Sequence, residues 1–172
     1  METTMSLSLH AVTAPALIQN LKNLGGFLER AEENAASRNF DVAVLLQARL
    51  APDMLPLIRQ VQMTCDHAKF TLARLGGVDA PSHPDTETTV AELQERIARV
   101  IAFVESVPAA AVDASADREI AFKAGPMELK FQGGDYLTRW ALPNFYFHLT
   151  AAYSILRHNG VPLGKRDFLG PR

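Results

Sequence analysis

The stretch from Gly133 to Gly160 constrains the fold most, because it alone sets polar side chains inside an otherwise apolar helical face. Gly133, Gly134 and Asp135 open it and His158-Asn159-Gly160-Val161-Pro162 closes it, which are helix start and stop signals. At 100° per residue one arc collects Leu137, Ala141, Phe145, Leu149, Ala152, Ile155 and Leu156, while Arg139, Thr150, Ser154 and Arg157 fall opposite. Asn144 and His148 lie inside the apolar arc, one turn apart. A polar pair withdrawn from water must find partners, so this helix predicts either an internal hydrogen-bond network or a ligand pocket. Pro143 adds polarity of its own, since a proline inside a helix leaves the carbonyl four residues earlier, at Arg139, unpartnered and kinks the axis.

Three further helices are needed to bury that face, and the chain supplies them. Leu17, Leu21, Leu24, Leu28, Ala31 and Ala35 give the first, with Pro15 in its first turn and Gly25-Gly26 marking close approach of a neighbouring helix. Asp41 caps a short piece over Val42 to Leu50. Pro52 restarts the chain into a second long helix whose stripe runs from Met54 through Leu57, Ile58, Val61, Cys65, Ala68 and Leu72 to Leu75, ended by Gly76-Gly77. Thr89 and Glu92 have capping-box spacing before Leu93, Ile97, Val100, Ile101 and Val104, and this third helix stops before Pro108. The period then changes from 3.6 to 2. Ile120 and Phe122, a turn at Gly125-Pro126, and Met127, Leu129 and Phe131 predict a β-hairpin, which is marginal alone and must lie on the helices or on a second subunit. The prediction is an all-α fold, a four-helix bundle with one crossover connection and a small hairpin before the last helix, in a single domain over residues 1–172.

A net charge of −2 without a concentrated Lys/Arg patch excludes a typical nucleic-acid or membrane-surface binder. No apolar run approaches the roughly 20 residues that span a bilayer, and Met1 to His10 lack a signal-peptide pattern, so the expected location is cytoplasmic. Cys65, the single cysteine, falls on an apolar stripe and reads as a core filler. His83 reads as a solvated loop residue and His158 as a C-terminal helix cap. Arg49 and Asp53 are placed to pair across the break between helical pieces.

The run Asn144-Phe145-Tyr146-Phe147-His148, followed by Ile155-Leu156-Arg157-His158-Asn159-Gly160, resembles the last helix of the DinB-like (DinB/YfiT) superfamily of metalloenzymes. A bacterial branch of that superfamily, a domain of unknown function, is resembled more closely still. The segments that carry this are Ala48-Arg49-Leu50-Ala51-Pro52-Asp53-Met54, Arg59-Gln60-Val61-Gln62, Leu142-Pro143-Asn144-Phe145 and Gly164-Lys165-Arg166-Asp167-Phe168-Leu169-Gly170. The resemblance implies a bundle, often a homodimer, that binds a divalent metal such as zinc or nickel through one histidine of the second helix and a His-x-x-x-His pair on the last. Some members transfer low-molecular-weight thiols to small electrophiles.

Here the last-helix pair is Asn144-x-x-x-His148, so an amide replaces one imidazole, and metal ions of this class prefer imidazole, thiolate or carboxylate. On the second helix His67 lies roughly 130° from the centre of the apolar stripe, at 100° per residue. Gln60, Thr64 and Thr71 share its flank, and Gln62 and Asp66 lie on the other. The candidate ligand set is therefore His148 and Asn144 with either His67 or Asp66, the metal falling to His148 and His67. Three functions are consistent with this: a degenerate site that takes a small ligand or a weakly held divalent metal, a metal-dependent thiol transferase, and a dimeric structural or regulatory bundle without ligand.

Overall fold

The apolar stripes become the inner faces of four long helices in a computed structural model of the chain, which describes residues 7–171. Helix α1 (Leu9–Ser37) is capped by Ser8, whose hydroxyl accepts from the Ala11 amide at 3.0 Å and donates to Asp113. It therefore starts earlier than its stripe implies, and Pro15 lies in its interior rather than its first turn. A short α2 (Ala43–Leu46) follows, narrower than the expected piece. Helix α3 (Leu57–Gly76) begins only after Pro56, not at Pro52, and ends on Gly77 at φ 66°, the left-handed conformation glycine accepts. Arg49 braces the intervening break by donating to the carbonyls of Pro52 and Met54, instead of pairing with Asp53.

Helix α4 (Val90–Ser106) carries the full capping box, Thr89 accepting from the Glu92 amide and the Glu92 carboxylate accepting from the Thr89 amide. A turn of helix, α5 (Ala109–Asp113), leads to the antiparallel hairpin of β1 (Glu119–Ala124) and β2 (Met127–Gln132), in register Ile120↔Phe131 and Phe122↔Leu129. The last helical segment is continuous but not uniform: α6 (Gly133–Tyr136), a π-helical turn over Leu137–Ala141, and α7 (Leu142–His158). The π turn ends two residues before Pro143, which has no amide hydrogen to offer the preceding turn, so the wider turn takes up the irregularity that a kink was expected to absorb. A final turn, α8 (Lys165–Leu169), folds back on α1, where Phe168 stacks on Phe27 with centroids 6.3 Å apart and Asn23 donates to the Phe168 carbonyl.

Helix α3 packs against α7 on one side and α4 on the other, and α1 closes the ring by packing on both α4 and α7. Leu17, Leu21, Leu24 and Leu28 of α1, Val61 and Leu72 of α3, Leu93 and Val100 of α4, and Phe145, Leu149 and Ile155 of α7 fill the shared core with no exposed surface. Each such side chain contributes about 1.5–3 kcal/mol of burial free energy. The hairpin lies on this chain's own helices: Phe122 meets Tyr136 and Trp140 edge-on, and the Arg74 guanidinium sits 3.7 Å above the Phe122 ring. Among the described residues no helix is long and apolar enough to cross a membrane.

Candidate functional site

Because α3 is held between two helices, its two polar flanks face different neighbours. The flank of Gln60 and His67 faces α7. The imidazoles of His67 and His148 lie nearly parallel, 13° apart, with centroids separated by 5.2 Å. Gln60 and His67 are seven residues apart, two turns of helix, which is why both reach the same strip of α7. His148 is 8% exposed, and Phe147, 58% exposed, sets its ring edge-on at 5.1 Å on the outer side of it.

The hydrogen bonds fix the chemistry of His148. Gln60 Nε2 donates to the Leu55 carbonyl at 3.1 Å, so Gln60 Oε1 is the atom turned towards His148, 2.8 Å from its Nδ1. An amide oxygen only accepts, so Nδ1 carries the proton and the Nε2 lone pair is left for something else. Both rings are held neutral. Desolvation, and then the neighbouring His148 and Arg74, push His67 down to about 4 against the pull of Asp66, and burial lowers His148 as well.

Asn144 is half-buried one turn before His148, and its Nδ2 donates to the Trp140 carbonyl at 2.7 Å in the π turn. Its amide thus serves the irregular backbone next to Pro143 with one N–H and keeps its oxygen and second N–H uncommitted. Asp66, the alternative partner for His148, is turned away: its Oδ1 lies 2.9 Å from both Arg96 Nη2 and Lys69 Nζ, on the α4 side. Gln62 goes the same way, donating to Glu87. Arg96, with no exposed surface, also pairs with Glu87 and Asp85. Burial works against the charges of Arg96, Asp85 and Glu87, yet Asp66 and Glu87 raise the Arg96 pKa, Arg59 and then Arg96 hold Asp85 below the usual carboxylate range, and the Glu87 backbone amide, Gln62 and Arg96 do the same for Glu87.

The model of a domain of unknown function, DUF1993, matches residues 9–169. The chain belongs to the DUF1993 family. A crystal structure described as a DinB family member protein from Shewanella denitrificans is 43% identical, with a TM-score of 0.87 over 95% of this chain and 93% of that one. The DUF1993 chain is thus a DinB-like protein with a mostly helical fold and one small hairpin. None of the curated proteins matches it.

A DinB-like fold implies a divalent metal, and the DUF1993 side chains meet that requirement in part. Two neutral imidazoles stand together, whereas no group of three or more His, Cys, Asp or Glu fit to hold a metal occurs among the described residues. Two imidazoles on one tetrahedral ion, with nitrogens about 2.1 Å from it, have ring centroids about 5 Å apart. The observed separation is of that order, but an offset ring stack has it too, so the fit rests on donor chemistry: His67 and His148 as ligands, with no third strong donor. Sequence reasoning placed Gln60 on the right flank without giving it a role; the seven-residue spacing to His67 was the available signal. Arg96 carried none, because an arginine inside an amphipathic helix pattern reads as solvent-facing. His83, expected to be solvated, is half-buried, with a buried Nδ1 that has no partner.

Proposed function

We propose that this DUF1993 protein keeps a reduced, two-histidine form of the DinB-like site in a four-helix bundle with one crossover, and that the site takes a weakly held divalent metal such as zinc or nickel, or a small ligand in its place. The observation that carries this reading is the fixed tautomer of His148: Gln60, itself anchored on the Leu55 carbonyl, accepts a hydrogen bond from Nδ1–H and leaves the Nε2 lone pair free for a ligand beside a second neutral imidazole. Metal-bound histidines are oriented in this way, with the second ring nitrogen donating to a fixed acceptor. A catalytic zinc normally has three protein ligands, so a pair predicts weaker retention than a full triad. When bound, the ion would act as a Lewis acid on a substrate oxygen, a thiol or a water.

Elemental analysis of the untagged protein, purified without chelator and dialysed, tests this together with titration of Zn²⁺ and Ni²⁺. The expected result is uptake of about one equivalent in the micromolar range, lost in His67→Ala and His148→Ala and weakened about 10–100-fold in Gln60→Ala. Less than about a tenth of an equivalent, with no uptake of added ion at micromolar concentrations, overturns the metal reading. Retained metal would make transfer of a low-molecular-weight thiol the first reaction to assay. Variants that change stability alone would leave the histidine pair as structure.

A further inference from the structure

A cleft of about 710 Å³ lies between α1 and the C-terminal segment, and none of the residues that line it belongs to the histidine site. Its volume is that of a small-molecule pocket. Lys22, Gly26 and Arg30 line it from α1, four residues apart, so the glycine stands between two cations on one stripe of the helix. Arg166 of α8 lines it too, and Phe27 and Leu163 supply buried apolar wall.

Gly26 is the residue that needs an explanation. A glycine inside a helix costs about 1 kcal/mol relative to alanine. Its neighbour Gly25 is explained by packing, because a Cβ there would come 2.9 Å from Gln94 Oε1, and Gln94 donates to the Gly25 carbonyl. A Cβ on Gly26 would meet nothing within 4 Å. No neighbour requires the missing side chain; what it does is leave the backbone bare at the floor of the cleft.

Three cations share that lining with two carboxylates. Among the described residues Lys22, Arg30 and Arg166 form no ion pair with a carboxylate. Of the two carboxylates on the lining, Asp167 accepts from the Gly164 amide at 2.7 Å as a cap, and Glu29 stands exposed at the rim. We infer that this cleft is a binding site for a small organic anion, its carboxylate or phosphate held by Lys22, Arg30 and Arg166 and its apolar body resting over Gly26 and Phe27. Arginine suits such a role because its planar fork matches both anions.

Titration of ¹⁵N-labelled protein with phenyl phosphate, benzoate and, as the uncharged control, benzyl alcohol tests the assignment by amide chemical shifts. The two anions should shift the amides around Lys22, Gly26, Arg30 and Arg166 saturably, and benzyl alcohol should not; their relative affinities tell phosphate from carboxylate. Arg30→Ala or Arg166→Ala should weaken the anions about tenfold, the loss expected for one charge-assisted contact. Gly26→Leu should abolish binding while circular dichroism and thermal unfolding show an intact fold, since leucine is the better helix former. Equal binding of benzyl alcohol, shifts confined to other surfaces, or undiminished binding in Gly26→Leu would each overturn the inference.

Discussion

Acidification tests the environment of the histidine pair most directly. His67 titrates at an ordinary 6.5 when unfolded and at about 4 in the folded chain. Between those values the unfolded state binds more protons, so stability is fully present above pH 6.5 and is lost as pH falls towards 4. At about 1.4 kcal/mol per pKa unit the depression corresponds to an upper value of about 3 kcal/mol; solvent reaches part of the ring, and screening brings the expected loss to about 1–3 kcal/mol. The assay is urea unfolding of the wild type and His67→Gln at pH 7.5, 6, 5 and 4. The carboxylates Asp85, Glu87, Glu92 and Asp113, all held below their ordinary range, also lose stabilisation as acid is added, but they do so in both proteins and cancel in the difference. The two stability curves should therefore converge by about 1–3 kcal/mol between pH 7.5 and 4. Curves that stay parallel would refute the account of a desolvated, His148-coupled imidazole. In His148→Gln the His67 titration followed by NMR should move up towards 6.5, because the neighbouring imidazole whose protonation competes with its own is gone.

Arg96→Ala should cost about 3–5 kcal/mol in urea unfolding, since it leaves Glu87 buried without its close counter-charge and Asp66 with Lys69 alone, and a loss below about 1 kcal/mol would contradict the pairing. Cys65 is fully buried with its thiol pushed up to about 12, so a thiol-specific reagent at pH 8 should label it only after denaturant is added; labelling of the native protein at the unfolded rate would refute that burial.

Much of this architecture is legible in the chain because it is periodic. The stripes of Leu17 to Ala35, Leu57 to Leu75 and Leu93 to Val104 repeat over three or more turns, and the hairpin alternates across a Gly125-Pro126 turn, so each signal is reinforced many times. What was misread is short or proline-bound. The segment from Pro52 to Pro56 carries apolar residues at helical spacing, yet helix waits for Leu57, since Pro56 forces an extended residue before it. The turns at Ala109–Asp113 and Lys165–Leu169 are too brief for periodicity to register. At the site, sequence named His67 and His148 but left the rotation of α3 open between two flanks. That rotation is a tertiary property: Asp66 and Lys69 of α3 take part in it, but it depends on where Arg96 of α4 stands, which the α3 segment does not specify.

That dependence reaches further than stability. Asp66 and His67 are consecutive, so their side chains leave the helix about 100° apart. Four leucine-rich stripes alone would permit α3 to roll within its slot, because apolar contacts carry no directional preference. The cage of Arg96, Asp66, Lys69 and Glu87 forbids the roll, since turning the helix would strand charges in a dry interior. The ion cluster therefore works as a keyway. By pinning one edge of α3 to α4 it aims the adjacent residue at α7, and the two imidazoles meet because of contacts neither of them makes.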